Sequence, residues 1–97
     1  MSTLVTERDV FAEAVKFSED SMTVQLDDGR TLSVPLTWYP RLLHGTPQER
    51  AHYELIGDGE GIHWSDLDED ISVEGLLAGK RSAESDVSLA RWLAKRQ

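Results

Sequence analysis

Apolar and polar positions alternate most regularly in the first third of the chain. Met22-Thr23-Val24-Gln25-Leu26 has the period of two that marks a half-buried strand. Asp27-Asp28-Gly29-Arg30 follows, and Asp-Gly suits a tight hairpin because glycine adopts positive φ at no steric cost. Thr31-Leu32-Ser33-Val34-Pro35-Leu36 then alternates again, so the two strands predict a hairpin. Pro35 lacks an N–H, so the second strand ends there or lies at an edge. Upstream, Val10 to Phe17 reads as a further strand whose alternation is imperfect, which leaves its register open. Downstream, short extended pieces at Glu54 to Ile56 and Gly61 to Trp64 flank the turn Gly57-Asp58-Gly59-Glu60-Gly61.

The remaining segments read as short helices and loops. Thr37 is placed to cap a helix from Trp38 to His44, with Pro40 in its first turn and Gly45 at its end. Thr46-Pro47-Gln48-Glu49 is a capping-box start for a second helix reaching Tyr53. Ser65 to Asp70 reads as an acidic loop, and Ile71 to Leu77 as a packed helical turn closed by Gly79. From Ala83 to Lys95, early Glu84 and Asp86 and late Arg91 and Lys95 complement a helix dipole, and Leu89, Trp92 and Leu93 form an apolar stripe. The fold class is therefore α+β: a small antiparallel sheet of three to five strands, two short helices packed on it, and a C-terminal helix. The chain divides into a flexible start (1–9), a core domain (10–79) and the C-terminal helix (80–97). Val15, Phe17, Val24, Leu26, Leu32, Val34, Trp38, Leu42, Leu55, Ile62 and Leu76 are the expected core.

At 97 residues the chain fits one domain with a modest core and little room for a deep catalytic pocket. Net charge changes the picture more. Of 18 acidic residues, eight lie between Glu54 and Glu74, where there is no Lys or Arg; elsewhere acids and bases balance, so the whole net charge of −8 sits in one stretch. That stretch repels phosphate backbones and complements a basic protein surface, or else keeps a solvated face soluble. The chain has no cysteine, which excludes disulfides and thiolate chemistry. No apolar run approaches a membrane span and no signal core follows a basic start, so a cytoplasmic location is expected.

Four groups carry candidate chemistry. Asp66, Asp68 and Asp70 mimic the opening of a calcium loop, but Ile71 and Leu77 stand where that loop needs Gly and Glu, so no metal or cofactor is assigned. His63 beside a carboxylate has the makings of a general base, yet no nucleophile motif accompanies it; the plainer reading is a structural ring beside Trp64. Trp38 and Leu42 anchor a helix at i and i+4, while Tyr39 and Arg41 are residue types that dominate binding hot spots. Trp92 either covers the core or docks on another chain, which makes a homodimer through the C-terminal helix one expectation. The partner-binding set is thus Tyr39, Arg41, His63, Trp64, Asp66, Asp68, Glu69, Asp70 and Trp92. Arg41 and Arg50 also have the option of pairing with the acidic segment within the monomer.

Asp28-Gly29-Arg30, Val34-Pro35-Leu36, Trp38-Tyr39-Pro40-Arg41-Leu42, Arg50, Gly61-Ile62-His63-Trp64, Leu67 to Val73 and Gly75-Leu76-Leu77 occur in that order. Together they resemble the bacterial "domain of unknown function 2442" family over residues 10 to 79. The resemblance implies a small α+β domain, sometimes preceding a helix-turn-helix DNA-binding domain, sometimes encoded beside another small protein in a manner suggestive of toxin–antitoxin pairs. It implies no catalytic residues. The final ~18 residues hold one helix, too few for a helix-turn-helix. The resulting expectation is a regulatory protein-interaction module, antitoxin-like in setting, that binds a basic partner through its acidic face and makes no direct contact with nucleic acid or membrane. The alternatives are a metal-dependent or acid/base enzyme centred on His63 and Asp66 to Asp70, and a nucleic-acid mimic that fills a partner's basic groove.

Overall fold

In the computed structural model, which describes residues 10–96, six strands form two antiparallel three-stranded sheets instead of one. The flexible start expected over 1–9 lies outside the described residues. The first sheet is β1 (Ala12–Phe17), β2 (Ser21–Leu26) and β3 (Thr31–Pro35) in sequential order. The hairpin is as read: Val24 faces Leu32 and Met22 faces Val34, and Gly29 takes φ 94° in the connecting turn. Asp28 closes that turn by accepting bonds from the backbone N–H and Nε of Arg30. Met22, Val24 and Leu26 point into the core, while Thr23 and Ser33 share a hydrogen bond on the opposite face.

The uneven pattern of β1 has a structural cause. The register between β1 and β2 shifts between Ala12 and Ala14, so one extra residue separates two inward positions. Ala12 and Val15, three apart, are both buried. Pro35 ends β3 as expected. The next helix differs from expectation: Leu36–Trp38 is a 3₁₀ turn, the chain breaks at Tyr39 (φ −131°, ψ 86°), and α1 spans only Pro40–Leu43. The proline ring keeps the residue before it out of the helical region, so Trp38 and Leu42 cannot share one helix. α2 (Pro47–Ala51) carries the expected capping box, with Glu49 N–H donating to Thr46 Oγ1 and Thr46 N–H to Glu49 Oε1, but stops short of Tyr53.

The second sheet is β4 (Glu54–Ile56), β5 (Gly61–Trp64) and β6 (Glu69–Ser72), again in sequential order. β6 corrects the reading of residues 65–70 as wholly loop. Ser72 caps α3 (Val73–Leu77), and Ser85 caps α4 (Asp86–Lys95), whose start falls later than expected. The turn between β4 and β5 ties the sheets together. Gly59 has φ 107°, and a Cβ there would lie 2.3 Å from the carbonyl oxygen of Ala12, so only glycine fits against β1.

Trp64 fills the centre of the core with Ile62, Leu67, Met22, Val24, Leu26, Leu36, Leu42 and Val73 around it. Its ring meets Phe17 edge-on at 6.3 Å and Tyr53 at 6.5 Å, and its Nε1–H donates to the Arg50 carbonyl. Of the expected core, Val15, Val24, Leu26, Val34, Leu42, Ile62 and Leu76 are buried; Phe17, Leu32 and Trp38 are partly buried against it. Leu55 is 39% exposed, because among the described residues β4 is an outer strand with no strand paired beyond it.

Candidate functional site

The acidic stretch is divided by strand geometry. Successive side chains of a strand face opposite ways, and register pairs Trp64 with Glu69, His63 with Asp70, and Ile62 with Ile71. Trp64, Ile62 and Ile71 are buried, so Glu69 shares their inward side while Asp70 and Ser72 face out. On the outer face, Glu54 of β4, His63 of β5 and Asp70 of β6 form one cross-strand row. His63 Nδ1 is hydrogen bonded to Asp70 Oδ1 at 2.5 Å. The sequence thus placed His63 beside a carboxylate, and the sheet supplies Asp70 as that partner.

The loop between β5 and β6 anchors itself by burying Leu67. Asp68 adopts positive φ (53°) there. Asp66 bonds His52 Nδ1 at 2.9 Å, and that bond pushes the His52 imidazole above its ordinary range. Asp68 meets Arg41 at 3.4 Å. Glu54, Asp58, Glu60 and Glu74 are exposed and make no ion pair among the described residues.

Arg41, expected as a partner contact, is committed within the chain. Its Nε and Nη2 donate to both carboxylate oxygens of Glu84 at 2.6 and 2.8 Å, and Nη1 donates to the Asp68 carbonyl at 3.0 Å. This fork holds Glu84 below the usual carboxylate range, with a further bond from Ser88 Oγ. The guanidinium also lies 5.2 Å from the Trp92 ring, and Arg96 lies 4.6 Å from the same ring. Arg96 pairs in turn with Glu49, whose carboxyl is lowered to about 2 chiefly by that bond. Trp92 therefore serves to dock α4 on α1 and α2. Arg50 does not reach the acidic stretch; it donates to the carbonyls of Leu42 and Leu43.

Two members of the expected partner-binding set are corrected outright. Tyr39 is buried, its hydroxyl donating to the Lys80 carbonyl at 2.7 Å, because the break before Pro40 turns the ring inward. Trp64 is buried because it alternates in phase with Ile62. Neither presents a side chain to a partner. Among the described residues no three His, Asp or Glu side chains are placed to hold a metal ion.

No local pattern along the chain announces the environment of Glu69. Burial, opposed in part by Arg41, raises its carboxyl to about 7, and Glu84, Asp70 and Asp68 add to the rise. It lines a cleft of about 200 Å³ with Tyr39, Ser72, Gly75, Lys80 and Ser82. A larger, open groove of about 770 Å³, mostly apolar, runs between β1 and α2 past Val15, Phe17, Pro47 and Tyr53.

The chain belongs to the family described as "protein of unknown function (DUF2442)", whose sequence profile matches residues 12–82. It is similar to the crystal structure of a protein of unknown function from Rhodospirillum rubrum ATCC 11170, with 26% identity and a TM-score of 0.69 over 79% of this chain and 95% of that one. It is also similar to the solution structure of uncharacterized protein CV0863 from Chromobacterium violaceum, with 25% identity and a TM-score of 0.65 over 89% of this chain and 75% of that one. Among curated proteins none matches the sequence. The matched family region ends before α4, so the helix docked by Arg41 lies beyond it.

Proposed function

We propose that this member of the family is a non-enzymatic protein-interaction module that engages a basic partner through the outer face of its second sheet and the turns beside it. One observation carries the reading. Glu54, Asp58, Glu60 and Glu74 stand exposed without ion pairs among the described residues, while every Arg contact described above is spent inside the fold. The unpaired acids create a negative field over a surface that also exposes Ile56. Such a field steers a positively charged partner and sets its register, and exposed apolar side chains within it supply area to bury. The His52–Asp66, His63–Asp70 and Arg41–Asp68 contacts tie the second sheet and its loop in place, which lowers the entropy lost on binding.

The test is native mass spectrometry on the protein purified gently from its host, beside a variant carrying Glu54→Gln, Asp58→Asn, Glu60→Gln and Glu74→Gln. A stoichiometric basic polypeptide should accompany the wild type at low salt and be lost both from the variant and at high salt. A variant that keeps every partner of the wild type refutes the reading and leaves the four acids as solubilising groups.

A further inference from the structure

Glu69 differs from the other seven acids of its stretch. It begins β6 on the inward side, is half-buried, and has no hydrogen-bond or ion-pair partner among the described residues. The cleft beside it is polar. Ser72 Oγ accepts the α3 cap bond from Gly75 N–H, and Ser82 Oγ accepts from Glu84 N–H, so each hydroxyl oxygen keeps a second lone pair that can accept from a cation. Gly75 keeps the wall open: a Cβ there would meet Ser72 Oγ at 2.8 Å.

The charged groups around Glu69 leave its carboxylate uncompensated. Arg41 is the cation that faces it, but its fork is filled by Glu84 and the Asp68 carbonyl. Arg81, at the cleft edge, lies over the Trp38 ring at 4.6 Å. Lys80 lines the cleft without an ion pair among the described residues. Against these stand three carboxylates, Asp68, Asp70 and Glu84, and the Tyr39 phenol, itself raised by burial and by the charge of Glu69. A cavity holding a desolvated, unpaired carboxyl and hydroxyl oxygens with a lone pair to spare is complementary to a cationic donor on a narrow stem.

Building on the proposed interaction role, we infer that the Glu69 cleft, which opens on the inward side of β6 and shares Asp70 with the outer face, is an anchor pocket beside that surface and takes the ammonium or guanidinium of one Lys or Arg side chain from the partner. The inserted cation favours ionised Glu69, so binding releases a proton around neutral pH and tightens as pH rises. The raised carboxyl of the free protein, at about 7, sets that window.

The experiment is fluorescence anisotropy with a labelled decalysine peptide at about pH 6 and about pH 8, for the wild type, Glu69→Gln, Glu74→Gln and the fourfold neutralised variant. Gln is isosteric with the protonated acid, so the fold persists. Wild-type affinity should rise about tenfold across that interval, Glu69→Gln should lose most of the rise and bind about tenfold more weakly at the upper pH, and Glu74→Gln should keep the rise. The comparison with Glu69→Gln isolates the cleft from any other group that titrates over this interval. If Glu69→Gln binds and titrates like the wild type while the fourfold variant loses the peptide, the cleft assignment is overturned and the interaction role stands. If no variant and no wild-type protein binds the peptide, both are overturned.

Discussion

Replacing Arg41 by Met should release α4 while leaving the sheets intact. The substitution keeps most of the aliphatic stem and removes the guanidinium. Lost with it are two charge-assisted bonds to Glu84, the bond to the Asp68 carbonyl and the contact with the Trp92 ring. The side chains of Arg41 and Glu84 are only 15% and 7% exposed, so solvent screens the pair weakly. Removing one partner of a fully buried pair costs about 3–5 kcal/mol, and hydrogen bonds to charged groups contribute about 1.5–3 kcal/mol each. Ser88 still satisfies one Glu84 oxygen, so the lower figure applies, about 2–3 kcal/mol.

That loss falls on one element. α4 contains no fully buried residue, and its described links to the rest are the Arg41 array, the Arg96–Glu49 pair and half-buried Leu89, Trp92 and Leu93. Local opening of a docked segment is read by amide hydrogen exchange. Protection of the amides from Leu89 to Lys95 should fall by roughly thirtyfold, since about 1.4 kcal/mol is a factor of ten. Amides of β2, at the centre of the first sheet, should hold their wild-type protection. A double-mutant cycle with Glu84→Gln should return a coupling of about 1.5–2 kcal/mol. If protection in α4 is unchanged, or falls equally in α4 and β2, then α4 is not a separately docked element and the reasoning fails.

Other outcomes follow from the same contacts. Glu69 has a folded-state value near 7, above its unfolded value, so the folded state binds more protons between the two; the fold is favoured below the unfolded value and loses that favour as pH rises through about 7. Glu69→Gln should therefore stabilise the domain by about 1–2 kcal/mol at about pH 8 and change little at about pH 4, read by urea denaturation at each pH. Glu49 and Glu84 are displaced the opposite way, so their contributions are present above the ordinary carboxylate range and fade as pH falls toward about 2 for Glu49; α4 amides should lose protection on acidification before those of β2 do. Gly59→Ala should cost more than about 2 kcal/mol in the same denaturation assay, because the added Cβ meets the Ala12 carbonyl and φ is positive.

What was legible in the chain and what was not divides along physical lines. The β2–β3 hairpin could be read because period-two alternation and an Asp-Gly turn agree locally. The capping box of α2 was legible for the same reason. Trp64 was misassigned to a partner surface through its neighbours His63 and Asp66, although alternation with Ile62 already placed it inward. β6 was missed because four residues are too few to announce a period against a dense run of acids. The Arg41–Glu84 fork joins residues 43 apart and had no local signature at all. Leu55 followed the inward period faithfully and is exposed because, among the described residues, no strand pairs beyond β4.

These misreadings bear on how charge should be counted. As a sequence, Glu54 to Glu74 offers eight equivalent acids and no base. Folding makes them unequal. Asp66 and Asp70 are tied to imidazoles, Asp68 lies against Arg41, and Glu69 is turned inward where burial suppresses its ionisation. On the proposed reading, the field met by a partner comes from the ionised acids of the stretch, with Glu54, Asp58, Glu60 and Glu74 standing without ion pairs among the described residues, and it is modulated by His52 and Glu69. Both groups bear on the field in the same sense: falling pH charges the His52 imidazole and protonates the Glu69 carboxyl, so each makes the face less negative. A surface of this kind binds a basic partner more weakly in acid than its count of aspartates and glutamates implies. Its pH dependence is therefore written less in the exposed acids than in the one residue that strand alternation turned toward the core.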